Sequence, residues 1–275
     1  DLIHKLKAQD KFCFDTETTS LVELDAELVG IAFSWKEKEA YFLHLPEDRE
    51  ECLNILQEFK EIFENPKTEK TAHNIKYDMG VLKNYNIQVN GPLFDSMIAH
   101  YLLEPDKRHG MDALAESYLD YSPVSIETLI GKKGKNQKSM RDVEEQKLSD
   151  YACEDADITW RLRNLFEPKL IEHNLMDLFR NLEMPLIKVL GSMERQGVTL
   201  DSQVLHDFSK ELEDSIKEIE LGIYEDAGHS FNIASPKQLG IVLFEELKVT
   251  DKPKKTKTKQ YSTGEDILVK LAKKH

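Results

Sequence analysis

The chain is poor in cysteine, in long apolar runs and, for most of its length, in positive charge. Three cysteines in 275 residues, Cys13, Cys52 and Cys153, are odd in number and never spaced as a metal or redox pair. That pattern excludes a disulfide framework and thiolate zinc, and points to a reducing, cytoplasmic setting. The longest apolar run, Leu28 to Phe33, is six residues, against the ~20 that a helical membrane span needs. No secretory signal pattern opens the sequence. A start without Met and a stop inside a helical pattern, Glu265 to Lys274, read as a fragment of something longer.

The formal charge is −14, unfavourable for a polyanionic partner on average. It is unevenly distributed, however. Residues 251–275 hold eight Lys against three acids, which leaves 29 basic and 48 acidic groups in residues 1–250. A second basic stretch, Gly131 to Arg141, has five cations and no acid. Nucleic acid would therefore bind at local patches, and part of the acidic excess is available to metals. Each basic stretch alone also fits a solubilising loop.

The first half alternates strand and helix signals. Phe12–Phe14, Leu28–Ser34 and Ala40–Leu45 read as consecutive strands. Asp48–Phe63 has apolar residues at helical spacing and stops at Asn65-Pro66. Thr71–His73, Ile75–Tyr85 and Phe94-Asp95 continue as strand, helix and strand end, the last feeding a helix through Leu103. The expected architecture is α/β, a mixed sheet flanked by helices. From Val143 onward the periodicity is helical: Glu144–Phe166, Leu175–Gln196, Ser202–Ala227 and Pro236–Leu247, with a boundary expected near Pro168 and Glu172-His173-Asn174. Lys252–Lys259, five Lys among eight residues, reads as a mobile loop.

Three segments carry chemistry. Asp15-Thr16-Glu17 ends an apolar strand, so its two carboxylates share a face and can hold a cation. Asp-x-Glu occurs four times, and any one of these pairs also fits solvated carboxylates, but only this one follows a buried-looking strand. His73-Asn74-Ile75-Lys76-Tyr77-Asp78 opens a helix, where Asn74 also fits an ordinary N-cap and Asp78 a first-turn acid. Tyr151 and Asp155, one helical turn apart, share a face; alone they also fit a surface tyrosine beside a helix acid.

Together and in this order, the three segments resemble the Exo I, Exo II and Exo III motifs of the DEDD exonucleases, in the variant with Tyr in the third. FDTETTSL (14–21), NIKYD (74–78), RHGMDALAE (108–116), GKNQ (134–137), YACEDAD (151–157), EMPL (183–186) and ERQGV (194–198) are similar to the proofreading domain and early thumb of the bacterial DNA polymerase I family, nearly end to end. The resemblance implies a ribonuclease H-like exonuclease domain over 1–174, then the start of a family A polymerase thumb over 175–275. It implies metal binding by Asp15, Glu17, Asp78 and Asp155, water orientation by Tyr151, and substrate contacts by Leu21, Asn74 and Arg108. Met140 stands where the family has an aromatic residue. Two Mg²⁺ or Mn²⁺ ions would neutralise the carboxylates and activate water. The implied reaction is 3′-5′ hydrolysis of DNA at a single-stranded or frayed end by a monomeric, nucleoid-associated protein, without palm or fingers for polymerisation. A ribonuclease D-like exoribonuclease and a non-catalytic DNA-binding scaffold are the alternatives; the thumb-like half argues against the first, the four intact carboxylates against the second.

Overall fold

The computed structural model describes residues 2–256 and 258–273. Lys257 of the second basic stretch and Lys274, the expected end of the last helix, lie outside the described residues. The chain divides into two compact units, Asp1–Gly197 and Val198–His275.

The first unit opens with α1 (Leu2–Lys7) and a meander of β1 (Lys11–Thr18), β2 (Leu28–Lys36) and β3 (Glu39–His44). Then come α2 (Arg49–Glu64), β4 (Glu69–Ala72), α3 (Ile75–Lys83), β5 (Leu93–Asp95), α4 (Ser96–Leu103), α5 (Met111–Leu119) and α6 (Ile126–Ile130). The sheet order is β3-β2-β1-β4-β5. β1, β2 and β3 pair antiparallel, whereas β4 runs parallel to β1 and β5 parallel to β4. Such a mixed sheet flanked by helices is a ribonuclease H-like core.

Alternation along β1 separates two environments. Phe12 and Phe14 join Phe33 and the α2 rings Phe59 and Phe63, with Phe14 and Phe63 edge to face at 5.1 Å. Asp15 is in register with Ala32, which packs on Ala152 and Ala156 of α7 (Glu145–Glu172). These small side chains let α7 approach the sheet closely. Arg163 fastens α7 to β4 through Glu69 (2.7 Å) and braces it internally through Glu167 (2.6 Å).

Pro168 does not end the helix expected over Glu144–Phe166: it lies inside α7, which continues to Glu172. Phe166 and Leu170, buried on either side of it, hold the helix together despite the missing amide donor. The helix expected over Leu175–Gln196 runs without interruption from Met176, as α8 (Met176–Leu178), a π-helical turn (Phe179–Glu183) and α9 (Met184–Gln196). The first unit extends past Asn174 because Phe179, Met184 and Ile187 are buried in its core.

The second unit starts with α10 (Ser202–Ala227), capped by Asp201 at the amides of Gln203 (3.0 Å) and Val204 (3.2 Å) and closed by Gly228 in a left-handed conformation. α11 (Pro236–Ile241) runs into a π-helical turn (Val242–Glu246), so the helix expected over Pro236–Leu247 is wound unevenly. α12 (Glu265–Ala272) follows. The basic stretch between them is tied down by a bridge between Lys255 and Tyr261 and by Thr256 donating to the Gln260 carbonyl (2.8 Å).

Candidate active site

β1 presents Asp15 and Glu17 two residues apart, and α7 brings Tyr151 and Asp155 to the same place from more than a hundred residues away. Ligand oxygens of Asp15, Glu17 and Asp155 all lie within 4.8 Å of one another. Asp78 arrives from α3 and lines the same cleft, but stands outside that trio. Its Oδ1 accepts from the Thr16 hydroxyl (2.6 Å) and the Thr16 amide (3.1 Å).

Electrostatics match a site built for cations. Burial, then the Asp78 charge, raises Asp15 well above the usual carboxylate range. Burial and the neighbouring acids do the same to Glu17. Asp155 is pushed up to about 8 by burial and by Asp15. Asp78 rises to about 7, burial outweighing the Thr16 hydrogen bonds. Tyr151 is driven far up by burial and the Asp155 and Glu17 carboxylates, so its hydroxyl keeps its proton. Glu17 Oε1 is buried without a hydrogen-bond partner. Clustered hard oxygens, mutually repelling and one of them orphaned, fit a divalent cation such as Mg²⁺ or Mn²⁺.

The cleft, about 530 Å³, is lined by Asp15, Glu17, Leu21, Asp78, Met140, Tyr151 and Asp155. Leu21 is 88% exposed at its mouth. Met140 is a buried wall residue packed with Val29, Ile130 and Leu148. Asn74 is exposed and borders an adjoining groove with Leu21. It does not act as an ordinary N-cap: it is left-handed (φ 65°), and the carboxylate of Asp95 caps α3 instead, accepting from Ile75 N at 2.8 Å. Arg108 is exposed between α4 and α5 and does not line the cleft. In the first basic stretch Gln137 and Lys138 reach the cleft, whereas Arg141 is engaged internally, donating to the carbonyls of Leu45 (2.9 Å) and Leu28 (2.5 Å).

Three cleft residues escaped assignment from sequence. Thr16 donates to Asp78, and Tyr77 is bonded to Thr18 (2.6 Å) and the Ser20 carbonyl. His73 contacts Ser96 Oγ at 2.8 Å, while its Nε2 is buried and unpartnered. Burial lowers it to about 4, so the ring is neutral at pH 7. All three lie inside segments already singled out; only their side-chain directions were missing.

A ribonuclease H-like sheet with an acidic metal cluster at β1 and the long helix defines a metal-dependent nuclease domain. Residues 1–171 match the 3′-5′ exonuclease family and residues 202–275 match DNA polymerase family A. The chain belongs to the 3′-5′ exonuclease family as it occurs in bacterial DNA polymerase I, with the start of a polymerase domain behind it. DNA polymerase I of Pseudomonas aeruginosa is 37% identical over 98% of this chain and 30% of its own length. That of Borreliella burgdorferi is 37% identical over 100% of this chain and 30% of its own length. The chain thus spans about a third of these curated relatives. Among solved structures, the POL domain of Pol1 from M. smegmatis, in complex with DNA primer-template and dNTP, shares the fold. The TM-score is 0.72 at 23% identity, over 99% of this chain and 43% of that one. Brucella melitensis NrnC with bound Mg²⁺ has a TM-score of 0.51 at 20% identity, over 67% of this chain and 83% of that one.

Proposed function

We propose that this chain hydrolyses the 3′-terminal phosphodiester of DNA, releasing nucleoside 5′-monophosphates from single-stranded or frayed ends. The supporting observation is the buried convergence of Asp15, Glu17 and Asp155. Those three and Asp78 would hold two divalent ions, which would neutralise the carboxylates, activate water and stabilise the attacking and leaving oxygens. Tyr151, protonated and next to Asp155, would orient water with Glu17. Thr16 keeps the Asp78 carboxylate turned into the site. Leu21 would wedge against the terminal base, and Asn74 and Arg108 would contact the strand. Met140 would act from the cleft wall, through its thioether edge.

We place the functional division near Asn174, residues 175–275 serving as the base and rising helices of a polymerase thumb. In the whole protein the partner would be primer-template DNA, the chain acting as a monomer in the bacterial cytoplasm. No helix among the described residues is long and apolar enough to cross a membrane. The test is a labelled DNA oligonucleotide with Mg²⁺ and with EDTA, beside RNA of the same sequence. Laddering from the 3′ end of the DNA, abolished by EDTA, is expected; faster cleavage of the RNA would replace this reading with an exoribonuclease.

A further inference from the structure

The surface around the cleft continues beyond Leu21. Leu21 and Tyr77 also line the adjoining groove, together with Val22, Leu24 and Lys76. Glu23 and Lys76 of that groove in turn line a separate cavity of about 230 Å³ between α3 and α9, within the first unit. Three depressions that share lining residues in sequence make one continuous track away from the carboxylates.

The far cavity is cationic. Lys76, Lys83, Lys188 and Arg195 line it against one carboxylate, Glu23. Lys76 pairs with Glu194 at 2.5 Å. Arg195 donates its hydrogen bonds to neutral oxygens, Asn84 Oδ1 (2.9 Å) and the Gly80 carbonyl (3.4 Å), with the Glu23 carboxylate near enough to feel its charge. Lys83 and Lys188 are exposed, and neither has a carboxylate within ion-pair distance among the described residues. The surplus is felt below the surface: Lys70, buried in β4, is lowered to about 8 by burial and by the Lys188 charge. The groove leading here is apolar on one side, with Val22 and Leu24 about half exposed, and carries Lys76 against Glu23 and Glu194 on the other. Bases can lie against the apolar side, and the phosphates meet unpaired cations where the strand reaches the cavity.

We propose that the cavity lined by Lys76, Lys83, Lys188 and Arg195 is a backbone-phosphate subsite for single-stranded DNA, holding the strand upstream of the 3′ end that lies at the carboxylates. The exonuclease reading supplies only the polarity of that strand. Lysine ammonium groups suit the task, because they act as point charges that accept any sequence.

Fluorescence anisotropy decides it, with a thymidylate dodecamer and the trimer, each ending in a 3′ phosphorothioate, in Ca²⁺. Lys83→Gln/Lys188→Gln should weaken dodecamer binding about tenfold and change trimer binding by less than about twofold. The salt slope should become shallower by about 0.7 for each phosphate that is no longer neutralised. Lys7→Gln/Lys60→Gln, which removes equal charge elsewhere, should match the wild type. Unchanged dodecamer binding by the first variant, or equal weakening in the second, overturns the subsite. Hydrolysis of an unmodified trimer in Mg²⁺ is read separately. Its absence in wild type, with the dodecamer effect intact, would remove the exonuclease reading and leave the phosphate subsite standing.

Discussion

Thr16 donates twice to one oxygen of Asp78, from its hydroxyl at 2.6 Å and its amide at 3.1 Å, across 62 residues of sequence. The residue between the two motif acids thus fixes a third acid, so β1 controls both the strand carboxylates and the orientation of the helix carboxylate.

Thr16→Val keeps the shape and the amide contact but removes the hydroxyl donor. A hydrogen bond to a carboxylate is worth ~1.5–3 kcal/mol, so the Asp78 pKa should rise by about one unit or more. The Mg²⁺ concentration for half-maximal cleavage at pH 7 should increase about tenfold, and the gap should narrow at pH 9. An unchanged Mg²⁺ titration would show that Thr16 does not hold Asp78 in the working site.

Asp155→Asn should abolish cleavage, because it removes one of the three converging ligands. At pH 9, where Asp155 is ionised, the metal-free variant should nevertheless melt a few degrees higher than the wild type, since a buried charge and its like-charge repulsion are removed. Thermal unfolding in EDTA beside a cleavage assay separates the two effects. A folded variant that cleaves at the wild-type rate would refute the site.

Proton linkage sets the pH dependence of the metal-free protein. Asp78 and Asp155 titrate near 7 and 8 when folded, but near the ordinary ~3.9 when unfolded. The folded state therefore binds more protons, and the stability these groups contribute is full below about pH 4 and lost as pH rises through 7 and 8. His73 works in the opposite direction, but only between about 4 and 6.5. The melting temperature in EDTA should accordingly fall from pH 6.5 to 8.5. Added Mg²⁺ should raise it, more at pH 8.5, where the carboxylates are ionised. A flat profile would contradict the raised values.

Tyr151→Phe retains the ring and loses the hydroxyl beside Asp155. Cleavage should slow by roughly 10- to 1000-fold, the range for oriented donors and acid–base groups, while Mg²⁺ affinity stays within about twofold. Single-turnover kinetics across a Mg²⁺ titration would measure both.

Leu21→Ala should leave stability unchanged, because the side chain is 88% exposed. It should slow cleavage of a paired 3′ end more than that of a single strand, since breaking each base step costs ~1.4 kcal/mol and the wedge is what offsets it. Rates on paired, mismatched and single-stranded ends compare these directly; an equal effect on all three would leave Leu21 without a wedge role.

Periodicity and local chemistry were sufficient for the mixed sheet, for α2, for α10, and for the order of the acidic segments, because these depend on neighbours a few residues away. Strand context marked Asp15 and Glu17 as a candidate cation pair, and the resemblance to the exonuclease motifs added Asp155. Their convergence within 4.8 Å required the packing of α7 on the sheet. Asp95 took over the cap expected from Asn74 because a buried carboxylate 20 residues away satisfies the Ile75 amide, and no local pattern records that distance. Pro168 was absorbed into α7 for the same reason, tertiary burial of Phe166 and Leu170 outweighing a local penalty. The sequence by itself determined which acidic side chains were available to a metal site and in what order they come. Tertiary structure decided which oxygens meet, because side-chain direction and long-range burial exist only once the sheet and its helices have packed.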